Sequence, residues 1–141
     1  MDNSIKINKY IQYILEHDEN VMSIVGNERK IFALQQPESI TYPFIVYQRN
    51  SLYPQYTKDY EGWMNTCNVE IACVSNDYVQ SLDLANAVRH AIEWYRWKDS
   101  DIYIHPIKID SINEYIVDSD NGPAYVQSIT TNISIEPIKT T

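Results

Sequence analysis

The sequence is poor in glycine, cysteine, long apolar runs and positive charge. Its 141 residues hold three glycines, at positions 26, 62 and 122. That excludes a glycine-rich loop cradling phosphates and the sharp glycine-flanked turn that exposes a nucleophilic serine. Two cysteines are present, Cys67 and Cys73. On one extended strand their Cα atoms would stand roughly 20 Å apart at ~3.3 Å per residue, against about 4.4–6.8 Å for a disulfide. The sequence therefore predicts two reduced, buried thiols in a cytosolic setting. No apolar run approaches the ~18 residues of a membrane span; the longest are four-residue pieces such as Ile31–Leu34. The first residues show no basic start followed by an apolar stretch and small cleavage residues, so no secretory leader is expected. Basic side chains number 11 against 19 acidic ones, a net charge of -8. That balance argues against a protein whose main work is gripping nucleic-acid phosphates.

What is present describes a globular chain: 44% hydrophobic and 21% charged residues, with 12 tyrosines. The length fits a single domain over residues 1–141, able to bury roughly two-thirds of its unfolded surface without disulfide staples. There is no internal repeat and no low-complexity tract.

Periodicity divides the chain. Ile7, Tyr10, Ile11 and Ile14 recur at helical steps and predict a helix over about Ser4 to His17. Asp18 reads as the cap of a short helix, Glu19 to Val25, closed by Gly26. Ile31–Leu34 and Phe44–Arg49 read as strands around a connection bracketed by Pro37 and Pro43. Asn50 to Gly62 has no clear period and is expected to be a long hairpin connection, extended in part. Met64–Val74 alternates, with Cys67, Val69, Ile71 and Cys73 on one face and Thr66, Asn68 and Glu70 on the other. Asp77, with Gln80 three residues on, resembles a capping box. The stripe Val79, Leu82, Ala85, Val88, Ala91, Ile92 and Tyr95 extends the predicted helix to about Trp97. Ile102–Ile112 is a strand with an edge or bulge at Pro106, and Tyr115–Val117 is a short partner. Asp118–Pro123 is a turn. Ala124–Glu136 is a strand with Tyr125, Ile129, Ile133 and Ile135 inward and Ser128, Thr130, Asn132 and Ser134 outward. The order α-α-β-β-β-α-β-β(-β) predicts an α+β fold. Two principal helices pack on one face of a mainly antiparallel sheet.

Chemistry is sparse. His17, His90 and His105 have no metal-ligand spacing around them, and there is no HExxH or CxxC. His17 suits a helix C-terminus, and His90, beside the third helix's stripe, reads as packing. Cys67 and Cys73 on an inward strand face read as inert thiols. Asp118 and Asp120 before Gly122 look like the start of a calcium loop but lack its length and distal glutamate. The expectation is no enzyme, no cofactor and no metal. The aromatic group Tyr53, Tyr56, Tyr60 and Trp63, set among charges, has two readings. It is a subunit interface, since Tyr and Trp bury much area at low entropy cost, or a hairpin whose rings fold back on the sheet.

The layout resembles a known family. Ile31-Phe32, a turn, then Tyr42-Pro43-Phe44-Ile45-Val46-Tyr47-Gln48 is similar to the opening strands of phage tail-completion and tail-terminator proteins. Asn68 to Tyr78 resembles their central strand leading into a helix. That helix is similar in Leu84-Ala85-Asn86-Ala87-Val88-Arg89-His90-Ala91-Ile92, and the final strand from Tyr125 to Ile135 fits as well. The likeness runs from about Ile5 to Ile138, through packing residues in order and spacing. The hairpin from Asn50 to Gly62 and the tail after Ile138 are not closely matched. The resemblance implies a structural protein made in the bacterial cytoplasm and placed in the virion tail or neck. It would cap the head-proximal end of the tail tube as a subunit of a six-membered ring. Its partners would be tail-tube and neck or connector proteins, with no catalytic residues, no specific nucleic-acid binding and no membrane. Another head–tail joining protein, a small monomeric adaptor or ligand-binding module, and an unrecognised enzyme are the alternatives. If the aromatic hairpin is an interface, replacing Tyr56 and Tyr60 together by Ala should weaken assembly in sedimentation while leaving the circular dichroism spectrum unchanged.

Overall fold

The computed structural model describes residues 3–55, 64–119 and 122–137. A single 3-10 turn, Ser4–Lys6, leads into α1 (Ile7–Glu16), which buries Ile7, Ile11, Ile14 and Leu15. α2 (Glu19–Val25) follows as the sequence predicts. Asp18 Oδ1 accepts from the Val21 N–H at 2.9 Å, and Gly26 ends the helix at φ 85°, a conformation glycine adopts without steric penalty. The strands are β1 (Ile31–Ala33), β2 (Phe44–Gln55) and β3 (Met64–Ser75), then α3 (Tyr78–Ile92). After it come β4 (Trp97–Lys98), β5 (Ile102–Ile104), β6 (Lys108–Ser119) and β7 (Gly122–Pro137).

These strands form one seven-stranded sheet in the order β1-β2-β3-β7-β5-β4, with β6 also pairing with β7. Every pairing is antiparallel except β1 with β2. β3 and β7 lie at its centre, joining Ile71 to Ile129 and Cys67 to Ile133. Period-2 alternation sends Cys67, Val69, Ile71 and Cys73 of β3 and Ile129, Ile133 and Ile135 of β7 to one face, where α1, α2 and α3 cover them. All seven side chains are fully shielded from solvent. The α+β class and the placement of the helices on one face are as the sequence implies.

The boundaries differ in instructive ways. β2 runs six residues past Arg49, so the first part of the expected hairpin connection is strand, entered through a bulge between Arg49 and Ser51. α3 ends at Ile92, well before Trp97. Glu93 is extended, Trp94 takes φ 67°, and the Trp94 N–H donates to the Ile107 carbonyl at 2.7 Å while the Ile107 N–H returns to Tyr95. No glycine or proline marks this stop; a tertiary backbone pairing imposes it. The helix also sits in a different phase. It buries Ser81, Leu84, Ala85, Ala87, Val88 and Ile92, while Val79 and Leu82 face solvent. Asp77 caps it through the Val79 N–H, but Gln80 accepts from the Ser75 hydroxyl at 2.7 Å rather than closing a capping box. The chain expected as one strand over Ile102–Ile112 is broken at His105–Ile107 around Pro106 into β5 and β6. The short partner expected at Tyr115–Val117 is part of the 12-residue β6.

Two polar residues of β7, Gln127 and Thr131, share the helix-covered face with the isoleucines. Thr131 is fully buried. Its hydroxyl donates to the Val69 carbonyl at 3.0 Å and accepts from the Val69 N–H at 3.2 Å. One side chain thus satisfies both main-chain groups of a buried residue, which would otherwise lose their water without replacement. Thr131→Val should cost about 1–3 kcal/mol in urea unfolding, the penalty of stranding buried polar groups. Thr131→Ser, which keeps the hydroxyl and drops one methyl, should cost about 0.8 kcal/mol.

Candidate functional site

The sheet face turned away from the helices is not uniformly polar. Cross-strand register lays three rows across it: Phe44–Val74–Val126–Tyr115, Val46–Ala72–Ser128–Asn113 and Gln48–Glu70–Thr130–Ser111. The first row forms a second, smaller apolar cluster of Phe44, Val74, Ala124 and Val126. Tyr42 stacks on Phe44 with ring centroids 5.6 Å apart, and Phe32 meets it edge-on at 6.5 Å. Gln36 and Tyr42 rise on one side and Tyr115 and Val117 of β6 on the other, enclosing a groove of about 430 Å³. Its floor is apolar at the Phe44 end and turns polar at Glu70.

Among the described residues Glu70 is the one carboxylate in the groove lining. It accepts from the Ser128 hydroxyl at 2.7 Å and from the Asn50 amide at 3.2 Å, both neutral donors. Among the described residues no cation forms an ion pair with it. Across the groove, burial raises the Tyr115 phenol above its ordinary value, and the charge of Glu70 adds to the effect. An uncompensated carboxylate at the end of an apolar trough favours a partner that brings a cation beside apolar surface.

The groove's outer wall is an edge. Among the described residues β6 pairs with β7 alone, and residues 111–118 are all exposed, among them Ile112, Tyr115, Ile116 and Val117. An edge this long with so much apolar surface offers a place for another chain to pair. On the helix side, Ile109 at the start of β6 packs against the main core, and Glu114 further along is held by hydrogen bonds. The Tyr78 hydroxyl and the Gln127 amide both donate to Glu114 Oε2 at 2.9 Å, and the Tyr78 ring meets Tyr125 edge-on at 5.6 Å. These two donors hold the Glu114 carboxyl below its ordinary value, the Gln127 bond contributing most.

The residues singled out in the sequence fall elsewhere. Tyr53 lies on β2, 56% exposed, paired with Thr66 at the end of the sheet away from the groove's apolar floor. Tyr56, Tyr60 and Trp63 lie outside the described residues, as do Asp120 and Gly62. Cys67 and Cys73 are free thiols, fully buried under the helices; burial pushes Cys67 up to about 12 and Cys73 higher still. His17 stacks on Tyr13 at 4.0 Å and contacts its carbonyl at 2.9 Å. His90 is exposed on the last turn of α3 and not packed into its stripe. His105 Nε2 lies 3.2 Å from Glu136 Oε2, outside the groove. Among the described residues no group of three metal-ligating side chains converges, and no helix is long and apolar enough to cross a membrane.

The sequence reading missed the groove, although its signal was present. A strand with one wet face alternates, whereas Phe44-Ile45-Val46-Tyr47 and Ala72-Cys73-Val74 are continuous apolar runs, the mark of strands covered on both faces. Glu70, read as an ordinary outward residue, closes that second face.

No family model matches the chain, and no curated protein matches it in sequence. Among solved structures, a chain from the virion of a native gene transfer agent particle shares the fold with a TM-score of 0.71 at 10% identity, covering 89% of this chain and 91% of that one.

The Glu114 anchor carries a pH dependence. A carboxyl lowered in the folded state contributes fully above its ordinary value of 4.5, and the contribution is lost as pH falls through the lower folded value. Amide protection along β6, measured by hydrogen exchange between about pH 5 and pH 3, should fall on acidification in the native chain. It should stay flatter in Glu114→Gln. Identical profiles would show that this network does not hold the strand.

Proposed function

We propose that this chain is a structural virion protein of a phage or prophage. As a ring subunit, it caps the head-proximal end of the tail tube and joins it to the neck. The observation that carries the reading is the fold shared with a chain of a gene transfer agent virion over nearly the full length of both. The tail-completion resemblance of the strand-helix-strand core points the same way and narrows the place to the tail. A ring built by rotation needs two different patches on each subunit. The groove and the opposite end of the sheet, where Tyr53 is exposed, are two such patches. The net charge of -8 suits a ring that lets DNA pass without adhesion, since like charges repel. The partners are then tail-tube and neck or connector proteins, with the virion tail as location.

A second reading is favoured by the same exposed edge and concave apolar face: a monomeric adaptor that takes a partner's strand on β6. Self-association separates the two. Light scattering on the purified chain, alone and with its tail-tube protein, should find a species of six 16.5 kDa chains, roughly 99 kDa, either free or on mixing. A monomer that ignores the tube protein at every concentration would put the adaptor first.

A further inference from the structure

Apart from the groove, the molecule carries two surfaces of matching chemistry at opposite ends of α3. The first lies on the helix side of β6. Tyr78 of α3, Tyr125 and Gln127 of β7, and Glu114, Tyr115 and Ile116 of β6 line a cavity of about 640 Å³. Exposed Val79 and Leu82 extend its apolar surface along α3, and exposed Ile112 extends it along β6. Both bonds from Tyr78 and Gln127 go to Glu114 Oε2, and no described residue bonds to Oε1. Residues 77–88 and 109–118 hold five carboxylates, at Asp77, Asp83, Asp110, Glu114 and Asp118, and no lysine or arginine. A fitting occupant brings an aromatic ring with a cation beside it.

The second surface is the turn after α3. Trp94 stands 63% exposed at φ 67°. A bulky side chain is rare in this left-handed region, which glycine enters without strain. The backbone is fixed on both sides. The Trp94 N–H donates to the Ile107 carbonyl, the Tyr95 N–H to the Ile92 carbonyl and the Ile107 N–H to the Tyr95 carbonyl. The indole is therefore presented to solvent on a rigid turn, at a position where the backbone alone would favour glycine. Arg96 and Lys98 are exposed beside it. Residues 89–98 hold three lysines and arginines against one acid, Glu93, which is paired with Arg89 at 3.3 Å. Among the described residues Arg96 forms no ion pair.

A subunit's own Trp94 does not reach its own cavity. Tyr78 and Ile92 are the two ends of α3, about 21 Å apart at ~1.5 Å per residue, and Trp94 lies past Ile92. Along the other wall, Trp94 is bonded at Ile107, whereas Ile116 stands most of a 12-residue strand further on, about 30 Å at ~3.3 Å per residue. Two aromatic side chains extended toward each other, each reaching roughly 7 Å, do not close either gap.

We propose that the cavity beside β6 receives Trp94 of a second copy of this chain, with Arg96 of that copy paired to Glu114. The indole packs among Tyr78, Tyr125 and Ile116, and the cation-rich turn meets the carboxylate-rich rim. The contact joins the end of one subunit's α3 to the start of the next subunit's α3. It is therefore heterologous and propagates around a ring. This inference rests on the ring-subunit reading and deepens it by naming both halves of one contact; the groove on the other face takes no part in it.

The test separates the fold from the contact through Trp94→Gly in the full-length chain. Glycine suits the left-handed backbone, so the thermal midpoint should hold or rise. Self-association, followed by light scattering with tube protein present where assembly requires it, should weaken about tenfold or more, and Arg96→Glu should weaken it by a similar factor. In parallel, one chain carrying both Arg96→Cys and Ile116→Cys is oxidised mildly at raised concentration. Cys67 and Cys73 are fully buried, so the native thiols give little background. A ladder of linked chains longer than two is the expected product, absent from either single variant. Circular dichroism identifies any variant that fails to fold, and Trp94→Asn, which also tolerates a left-handed backbone, then takes the place of Trp94→Gly. Native assembly by both Trp94→Gly and Arg96→Glu overturns the inference while leaving the ring intact. A cross-linked product that stops at pairs also overturns it, since a two-fold contact closes there. Loss of tube joining with unchanged self-association in Trp94→Gly assigns the indole to a partner protein, which overturns it as well. A native chain that stays monomeric even with the tube protein overturns the ring reading itself, and this contact with it.

Discussion

The antiparallel ladder between β3 and β7 is the constraint on which everything else depends. Each strand carries a row of residues that must leave water, and pairing them brings the two rows side by side as one apolar floor. The three helices then have a single surface to cover, and their own stripes supply the matching layer. Because side chains alternate along a strand, the same register also decides what appears on the reverse face. Val74 and Val126 come level with Phe44, and Glu70 comes level with Gln48 and Thr130. A slip of one residue would invert both faces at once.

The second face is where a soluble sheet ordinarily meets water. Here one end of it is apolar and enclosed between the β1–β2 connection and the β6 edge, while the other end is polar and carries an isolated charge. Neither feature is needed to hold the helices in place. A trough walled on one side by an exposed edge strand differs from a core that happens to show at the surface, because its wall can still move or accept a neighbour. The Tyr78–Glu114–Gln127 network limits that freedom by tying the outer strand to the start of α3.

Much of this was legible in the chain, for identifiable reasons. α2 was readable to the residue because both of its ends are local events, an aspartate cap and a left-handed glycine. β3 was readable because its alternation is unbroken from Cys67 to Cys73. The end of α3 was not, because nothing near Ile92 stops a helix; the stop comes from the carbonyl of Ile107, fifteen positions away in the chain. The phase of α3 was misread because Ser81 and Ala87 are buried by closeness of packing rather than by hydrophobicity. Thr131 falls on the inward face by alternation, but its value depends on Val69, which no local pattern places beside it. The groove was the most consequential omission. Continuous apolar runs in β2 and β3 announced two covered faces, but only the register showed what stood opposite. Of the four aromatics singled out, Tyr53 is exposed at the end of the sheet away from that groove's floor.

The ladder at the centre of the sheet joins residues 62 positions apart, as in the bond between Val69 and Thr131. A chain emerging from a ribosome can form α1, α2 and the β2–β3 hairpin early, but β3 has no second neighbour until β7 has been made. The floor of the groove includes Ala124 and Val126 of that late strand, and its wall includes β6. High contact order of this kind slows folding. It also means that the groove surface is completed only after β7 is synthesised, so a nascent chain does not yet present it.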